Sequence, residues 1–494
     1  MKTANATLLA ALVLVLSGCG RGEPRPNILW IVWDTVRADR MGLYGYSRDT
    51  TPNLDRWSES ARVYDCSAVS CWTVPSHASM FTGLFPSEHG ANSLNSRLDD
   101  RFETVAEILQ DEGYQTYLFS ANPSVSRRLN LSQGFQTEEH PGDPSLVERA
   151  QQTVLAKIDD ADSHNPIRSG VHSSRARDWF VKAVGEIAND RFLHFLDRRE
   201  PDQPFFAFLN YMEAHRIRVP PRRFLERIVD PDNVEAAYAF DQSQRRFKRV
   251  TLGLEEPFSA AEQEMIGAIY DATLLELDDL LDRLFKDLLT RDLLDNTVII
   301  LTSDHGEHLG DMGSYLHQYS LYEGVLSVPL VIWGPGRLPP GREENPVSNI
   351  DLFPTILDFA GVHRPPLPGL ANLSRPSPHR PVVAEYVEPY RTMLRRVGKS
   401  NPKWDPTPFE RQLRALRLGP HKLLWSSTGP AELYDLTSVA GEQVDLAGAR
   451  PQRLDELSSI LRHWLAARHL GPEGEPGRPL TEKEKDQLRS LGYL

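Results

Sequence analysis

Cysteine is scarce in this chain, three residues in 494, which excludes a small disulfide-stapled scaffold. Positive charge is also in deficit. Lysine and arginine number 55 against 68 acids, a formal net charge of −13. That balance argues against a broad polyanion-binding surface and gives no reason to expect nucleic acid as a partner, while leaving room for a local basic patch. No apolar run is long enough to cross a bilayer, and neither internal repeats nor low-complexity tracts are visible. What the chain does have is length and apolar content. With 40% hydrophobic residues it can bury a large core, and two or more domains are expected. Its 37 prolines point to many loops and edges rather than long helical bundles.

The first residues read as an export signal. Lys2 supplies a positive start, and the apolar run from Leu8 to Leu16 is too short to span a membrane. Leu16-Ser17-Gly18-Cys19 resembles the bacterial lipoprotein cleavage box. That resemblance implies a signal over 1–19, a lipid on Cys19, a tether over 20–26 and a place in the bacterial cell envelope, at the outer membrane or periplasmic face. Gly20 stands where an inner-membrane retention signal would carry Asp. The alternative is an ordinary cleaved signal that happens to end in Cys. Cys66 and Cys71 then remain, either paired in an oxidising envelope or present as two buried thiols.

Asn27 to Trp33 is an unbroken apolar run that stops at Asp34, the pattern of a strand buried on both faces of a parallel sheet. Thr297 to Ser303 followed by Asp304 repeats it, as does Phe205 to Tyr211 ending near His215. Helical patterns lie between. Over Asp271–Leu289, Leu274, Leu277, Leu281, Leu284 and Leu288 share one face. Alternating strands and helices predict an α/β fold with a mostly parallel central sheet, whose functional residues gather beyond the carboxyl ends of strands. Asp34, His215 and Asp304 occupy such ends. Residues 124–200 are polar and irregular and read as a surface insertion carrying some helix. Residues 363–380 read as a proline-rich linker. Beyond it, a hairpin pattern over Leu416–Trp425, an amphipathic helix marked by Leu454, Leu457, Leu461, Trp464 and Leu465, and a capping box at Thr481–Glu484 predict a smaller α+β domain over 380–494, after a main domain over 27–365.

Each chemical motif is weak alone. An Asp after a strand is often only a turn or cap residue, and Ser or Thr before a helix usually caps it. Together they say more. Asp34, Asp304 and His305 offer two carboxylates and an imidazole to one divalent cation. Oxygen ligands suit calcium, magnesium or manganese, and the imidazole keeps zinc open. Thr73, at the start of a helix beginning near Pro75, brings a hydroxyl to the metal, where its deprotonation is helped. Free N–H groups at that helix start favour an anionic substrate. The combination describes hydrolysis of a sulfate or phosphate ester.

On these residues the chain resembles the sulfatases, within the alkaline phosphatase superfamily. The resemblance runs from Pro26-Asn27-Ile28-Leu29 into Asp34, through Thr73–Gly83, then Tyr211–His215 with Pro220-Pro221, and Ser303–Glu307. It continues in His317 with Leu321-Tyr322-Glu323, Ile350–Thr355, Glu432–Leu436 and Leu488–Leu494. It implies an alkaline-phosphatase-like sheet, one bound divalent metal (calcium first, with magnesium, manganese or zinc as alternatives) and hydrolysis of sulfuric esters.

The chain departs from the family pattern at several points. The nucleophile position, oxidised to formylglycine in most sulfatases, holds Thr73, so no formylglycine is expected. Cys71 does not align, because only Thr73 has a proline two residues on. The signature Arg is His77, expected to act as a weaker, pH-dependent cation. The paired metal Asp is Thr35, and the lysine beyond the Asp304 motif is His317. His215 and His317 are candidates for protonating the leaving group or holding the anion. Tyr211, four residues before His215, cannot replace the Asp of a second metal site, so a single metal is expected. The leading expectation is a metal-dependent sulfate ester hydrolase. The alternatives are a phosphodiester or phosphonate monoester hydrolase using unmodified Thr73, and a non-catalytic binder of anions or glycans. The oligomeric state is open.

Overall fold

The computed structural model describes residues 25–159, 182–241, 244–376, 379–438 and 441–468. The leader with Cys19, the middle of the 124–200 segment, the capping box at 481–484 and the 488–494 motif lie outside the described residues.

Eight strands form the main sheet: β1 (Asn27–Trp33), β2 (Arg62–Ser67), β3 (Gln115–Ser120), β4 (Thr137–Glu139), β5 (Phe205–Tyr211), β6 (Thr297–Thr302), β7 (Ser327–Trp333) and β8 (Gly341–Ser348). Their order is β4-β3-β5-β1-β6-β7-β2-β8. All neighbours run parallel except β7, which is antiparallel to both β6 and β2. The continuous apolar runs have a simple reason. Alternate residues of a strand face opposite sides, and here both sides are covered. Trp30, Phe208 and Ile300 enter one core, while Leu29, Ile31, Leu209 and Leu301 enter the other. The Ala260–Thr290 helix covers the second face with Leu274, Leu277, Leu281, Leu284 and Leu288. It starts eleven residues before the predicted stretch because Ser259 and Glu262 cap it reciprocally. Each of those buried leucines contributes roughly 1.5–3 kcal/mol, an upper figure given residual burial in the unfolded chain.

The described flanks of the 124–200 segment are built into this main layer. β4 extends the sheet beside β3, and the Gly185–Arg198 helix buries Ile187, Phe192 and Leu196 against its second face. A polar stretch can still be structural when only one stripe of it is apolar.

A second, antiparallel sheet has the order β12-β11-β10-β9, from β9 (Val382–Tyr386), β10 (Leu413–Leu418), β11 (His421–Ser426) and β12 (Glu432–Asp435). The Pro451–Ala466 helix packs Leu457 and Leu461 against Leu416, Leu423 and Leu433. This unit also grips the main one. Glu385 N–H donates to Val69 O at 2.9 Å, and Ser70 Oγ donates to Glu385 O at 2.8 Å. The segment leading into Thr73 is thereby held from the C-terminal side. Cys66 and Cys71 are buried free thiols, and burial pushes both well above the usual thiol range. No helix of the described residues is long and apolar enough to cross a membrane.

Candidate active site

Four neighbouring parallel strands, β3-β5-β1-β6, end on one side of the sheet, and the chain just beyond them builds a single buried site. Asn122 follows β3, Asn210 is the penultimate residue of β5, Asp34 follows β1 and Asp304 follows β6. The Thr73–Thr82 helix closes over them. It begins at Thr73 itself, two residues before the expected start, since Pro75 falls in the first turn where its missing N–H costs nothing. Gly83 ends it at φ 69°, where a Cβ would press on Leu367 and Phe353. All ten residues of this helix are buried although five are polar, so their side chains need partners. Ser76 Oγ donates to Asp304 O at 2.6 Å, and Thr82 Oγ1 donates to Ala78 O at 2.7 Å.

Asp34, Asp304 and His305 offer ligand atoms within 4.8 Å of one another, all fully buried. His305 Nδ1–H donates to Gly306 O at 2.8 Å, which leaves the Nε2 lone pair facing inward. That lone pair lies 3.2 Å from Asp304 Oδ2 and 3.5 Å from Thr73 Oγ1. Asp34 Oδ1 and Asp304 Oδ2 are buried and accept no hydrogen bond. The two carboxylate oxygens and the imidazole lone pair, which faces the Thr73 hydroxyl at 3.5 Å, converge and repel each other. A divalent cation among them removes that repulsion, so the donor set fits one. Without it, burial pushes Asp34 up to about 6 and Asp304 well above the usual carboxylate range, and drives His305 well below the usual imidazole value.

The other oxygens of the two carboxylates are fixed by the protein. Asn122 Nδ2 donates to Asp34 Oδ2 at 2.8 Å and to Thr73 Oγ1 at 3.3 Å. Asp304 Oδ1 accepts from His305 N–H at 2.9 Å and from Thr35 N–H at 3.2 Å. Thr35 stands at φ 63°, an unusual conformation for a β-branched residue. Its hydroxyl donates to Asp34 O at 2.6 Å and its carbonyl accepts from Tyr270 OH at 2.8 Å. Thr35 therefore spends its hydroxyl on the turn, and its backbone on aiming Asp304.

His77 does not behave as the expected cation near neutral pH. Its Nδ1–H donates to Thr73 O at 2.9 Å, its ring lies against Phe81 and Phe208, and burial lowers it to about 4. His215 and His317 do come together, with ring centroids 5.6 Å apart, and His317 lies 4.5 Å from the His305 ring. Burial, with Lys182 next in effect, keeps His215 well below its ordinary value. His317 Nδ1–H donates to Glu307 Oε1 at 2.9 Å, and Gln318 Nε2 donates to His317 Nε2 at 2.8 Å. Burial alone would raise Glu307, but His317, Arg216 and Arg218 hold it below the usual carboxylate range. Lys182 Nζ lies 3.1 Å from His215 Nδ1 and donates to His215 O at 3.1 Å. Asn122, Asn210, Glu307, Lys182 and Tyr270 escaped the sequence reading. Only Glu307 carried a signal, as the last residue of the Ser303–Glu307 motif.

A family model described as Sulfatase matches residues 26–362. The N-acetylglucosamine-6-O-sulfatase of Bacteroides thetaiotaomicron is 25% identical over 438 residues, 74% of either chain. The arylsulfatase of Clostridium perfringens is 24% identical over 480 residues, 90% of this chain and 96% of its own. Among solved structures, the phosphonate monoester hydrolase of Silicibacter pomeroyi superposes with a TM-score of 0.66 at 22% identity, covering 92% of this chain and 100% of its own. That likeness shows the alkaline-phosphatase-like fold.

Proposed function

Because the chain belongs to the sulfatase family, whose relatives here are ester hydrolases, we propose that it hydrolyses an anionic ester, a sulfate ester first, with Thr73 as nucleophile. The observation that carries this is the convergence of Asp34 Oδ1 and Asp304 Oδ2, buried without hydrogen-bond partners, with the His305 Nε2 lone pair that faces the Thr73 hydroxyl. Asp34, Asp304 and His305 would hold one divalent cation, calcium by the oxygen-rich donor set, with magnesium, manganese or zinc as alternatives. Such an ion supplies positive charge that favours a threonine alkoxide and the substrate's anionic oxygens.

The chain's own residues supply the rest. Asn122 orients the Thr73 hydroxyl against Asp34, and His77 fixes the Thr73 carbonyl. Thr73 Oγ passes its proton to water and bonds to the sulfur or phosphorus. The bond to the ester oxygen breaks, and the departing alcohol takes a proton, for which His215 and His317 are the candidates. Water then bonds to the same centre, and Thr73 leaves with a proton restored. Glu307 holds His317 in place for this.

A specific observation favours a second reading, hydrolysis of phosphate diesters or phosphonate monoesters. Thr73 is a plain alcohol, as suits phosphoryl chemistry, and a structural neighbour bears the name phosphonate monoester hydrolase. Assays of the metal-loaded protein on aryl sulfate, aryl phosphodiester and aryl phosphonate substrates separate the readings. Turnover of the preferred ester should fall by about 10³-fold or more in Thr73→Ala. Turnover that survives this change sinks Thr73 as nucleophile, and none on any ester points to the binding protein instead. The leader belongs to the same proposal, with the enzyme held on the cell envelope through Cys19. A Cys19→Ala chain that still fractionates with membranes would refute that anchor.

A further inference from the structure

Three backbone groups near the site fall outside the ladder of the main sheet. β6 stops at Thr302, so the carbonyls of Ser303 and Asp304 lie beyond it, and β2 stops at Ser67, so the N–H of Val69 does too. All three residues are fully buried, and buried backbone groups need partners. The two strand ends are not neighbours. β7 lies between β6 and β2, which sets their ends about 10 Å apart at the usual strand spacing. No ladder bond reaches that far.

A side chain spans the gap instead. Asn349, the first residue past β8, is fully buried. Its Nδ2 donates to Asp304 O at 3.2 Å and to Ser303 O at 3.3 Å, and its Oδ1 accepts from Val69 N–H at 2.9 Å. Two carbonyls on one side and an N–H on the other fix which way the amide points. Ser76 ties in from the Thr73–Thr82 helix. Its Oγ donates to Asp304 O at 2.6 Å and lies 3.5 Å from Asn349 Nδ2. Asn349 is anchored in turn by Asp351, two residues on. Asp351 accepts from Ser348 N–H at 2.9 Å and Ala371 N–H at 2.8 Å, and pairs with Arg380. One amide therefore joins the strand end that carries Asp304 to the segment that leads into Thr73.

We propose that Asn349 is a positioning residue for the reaction: by holding both backbones to one amide, it sets the distance between the Asp304 carboxylate, which would receive the cation, and the Thr73 hydroxyl, which would attack. The inference rests on the hydrolase reading above and adds to it a residue that touches neither the ion site nor the reacting hydroxyl. The chemistry of the side chain is what matters. Leucine at this position has nearly the same shape but leaves all three backbone groups unpartnered. Aspartate keeps an acceptor for Val69 and turns an oxygen on the two carbonyls, which repel it.

The test compares Asn349→Asp, Asn349→Leu and the milder Ser76→Ala with wild type, each as the full chain and well below its own melting temperature. Ion binding is read by calorimetric titration of chelator-treated protein with calcium chloride and, in parallel, manganese chloride. Turnover is read by steady-state kinetics on the ester that wild type prefers. In both Asn349 variants the ion's Kd should rise about tenfold or more and kcat fall about 10- to 100-fold, with KM within about twofold. Ser76→Ala should move Kd and kcat in the same directions by less, which keeps the proposal open to refutation if an Asn349 variant does not fold. A lower melting temperature with ion Kd and kcat unchanged makes Asn349 a purely structural residue and overturns the proposal, as does a change confined to KM. Absence of turnover in wild type on every ester, with the ion's Kd still raised in the variants, would sink the hydrolase reading and leave Asn349 as the residue that aligns the cation site.

Discussion

Asp304 Oδ2 and His305 Nε2 stand 3.2 Å apart, and the other ring nitrogen of His305 is committed to Gly306 O. Neighbours in sequence, they turn two lone pairs toward the same point as Asp34 Oδ1. The native state is therefore expected to be more stable with a divalent ion than without. Calcium at about 100 times its dissociation constant adds about 2.7 kcal/mol, a rise of roughly 3 °C in melting temperature for a chain this long. Calorimetry after chelation and after calcium return reads this directly. A melting temperature indifferent to every divalent ion would refute the site.

Asn122 touches both Asp34 and Thr73. It orients the hydroxyl without contributing a charge. In Asn122→Ala, kcat should fall about 10- to 100-fold, the usual cost of losing an orienting partner, with KM little changed. Steady-state kinetics on the preferred ester checks it. A change confined to KM would mean that Asn122 serves substrate binding instead.

Tyr270 holds the strained turn at Thr35. Its hydroxyl donates to Thr35 O and accepts from Arg37 N–H at 2.9 Å. Tyr270→Phe leaves both backbone groups buried without that partner and should cost about 1–3 kcal/mol. Urea denaturation measures the loss. Kinetics on the same variant should show reduced kcat, because Thr35 N–H aims Asp304.

At the sheet edge, Glu138 is held below its ordinary value of 4.5, at about 2. Burial alone would raise it. Hydrogen bonds from His140 at 2.8 Å, Arg127 N–H at 2.8 Å and Ser132 Oγ at 2.8 Å more than offset that. A carboxylate depressed in the folded state stabilises above its unfolded value and loses that contribution as pH falls through its folded value. Wild type should therefore exceed Glu138→Gln in melting temperature at neutral pH, with the gap shrinking between pH 4.5 and about 2. A gap independent of pH would assign the effect to packing.

Much of the site was legible because its signals are local. A buried parallel strand must be apolar on both faces, so the first polar residues after it stand out, and this exposes Asp34 and Asp304. A proline two residues after Thr73 marks a helix start. Asn122, Asn210 and Lys182 carried no comparable mark: Asn122 and Lys182 are ordinary polar residues of irregular stretches, and Asn210 lies inside the apolar run of β5. His77 was legible as a substitution, but its behaviour was not. Burial against Phe81, one turn on in the same helix, and Phe208 of β5 lowers it, and the second of these contacts is made only when helix and sheet pack.

By itself, then, the sequence determined the strand and helix pattern, the family, the pairing of two carboxylates with His305, and the presence of a threonine, Thr73, two residues before Pro75. Those are properties of short segments, in which periodicity and residue type act within one element. Only the tertiary structure decided that Asn122 bridges Asp34 and Thr73, that Thr35 serves the turn, that Glu307 holds His317, and that Asn349 joins the end of β6 to the segment before Thr73. Such relationships depend on the order β3-β5-β1-β6 and on loops meeting across it, and no local pattern encodes which distant side chains share one buried space.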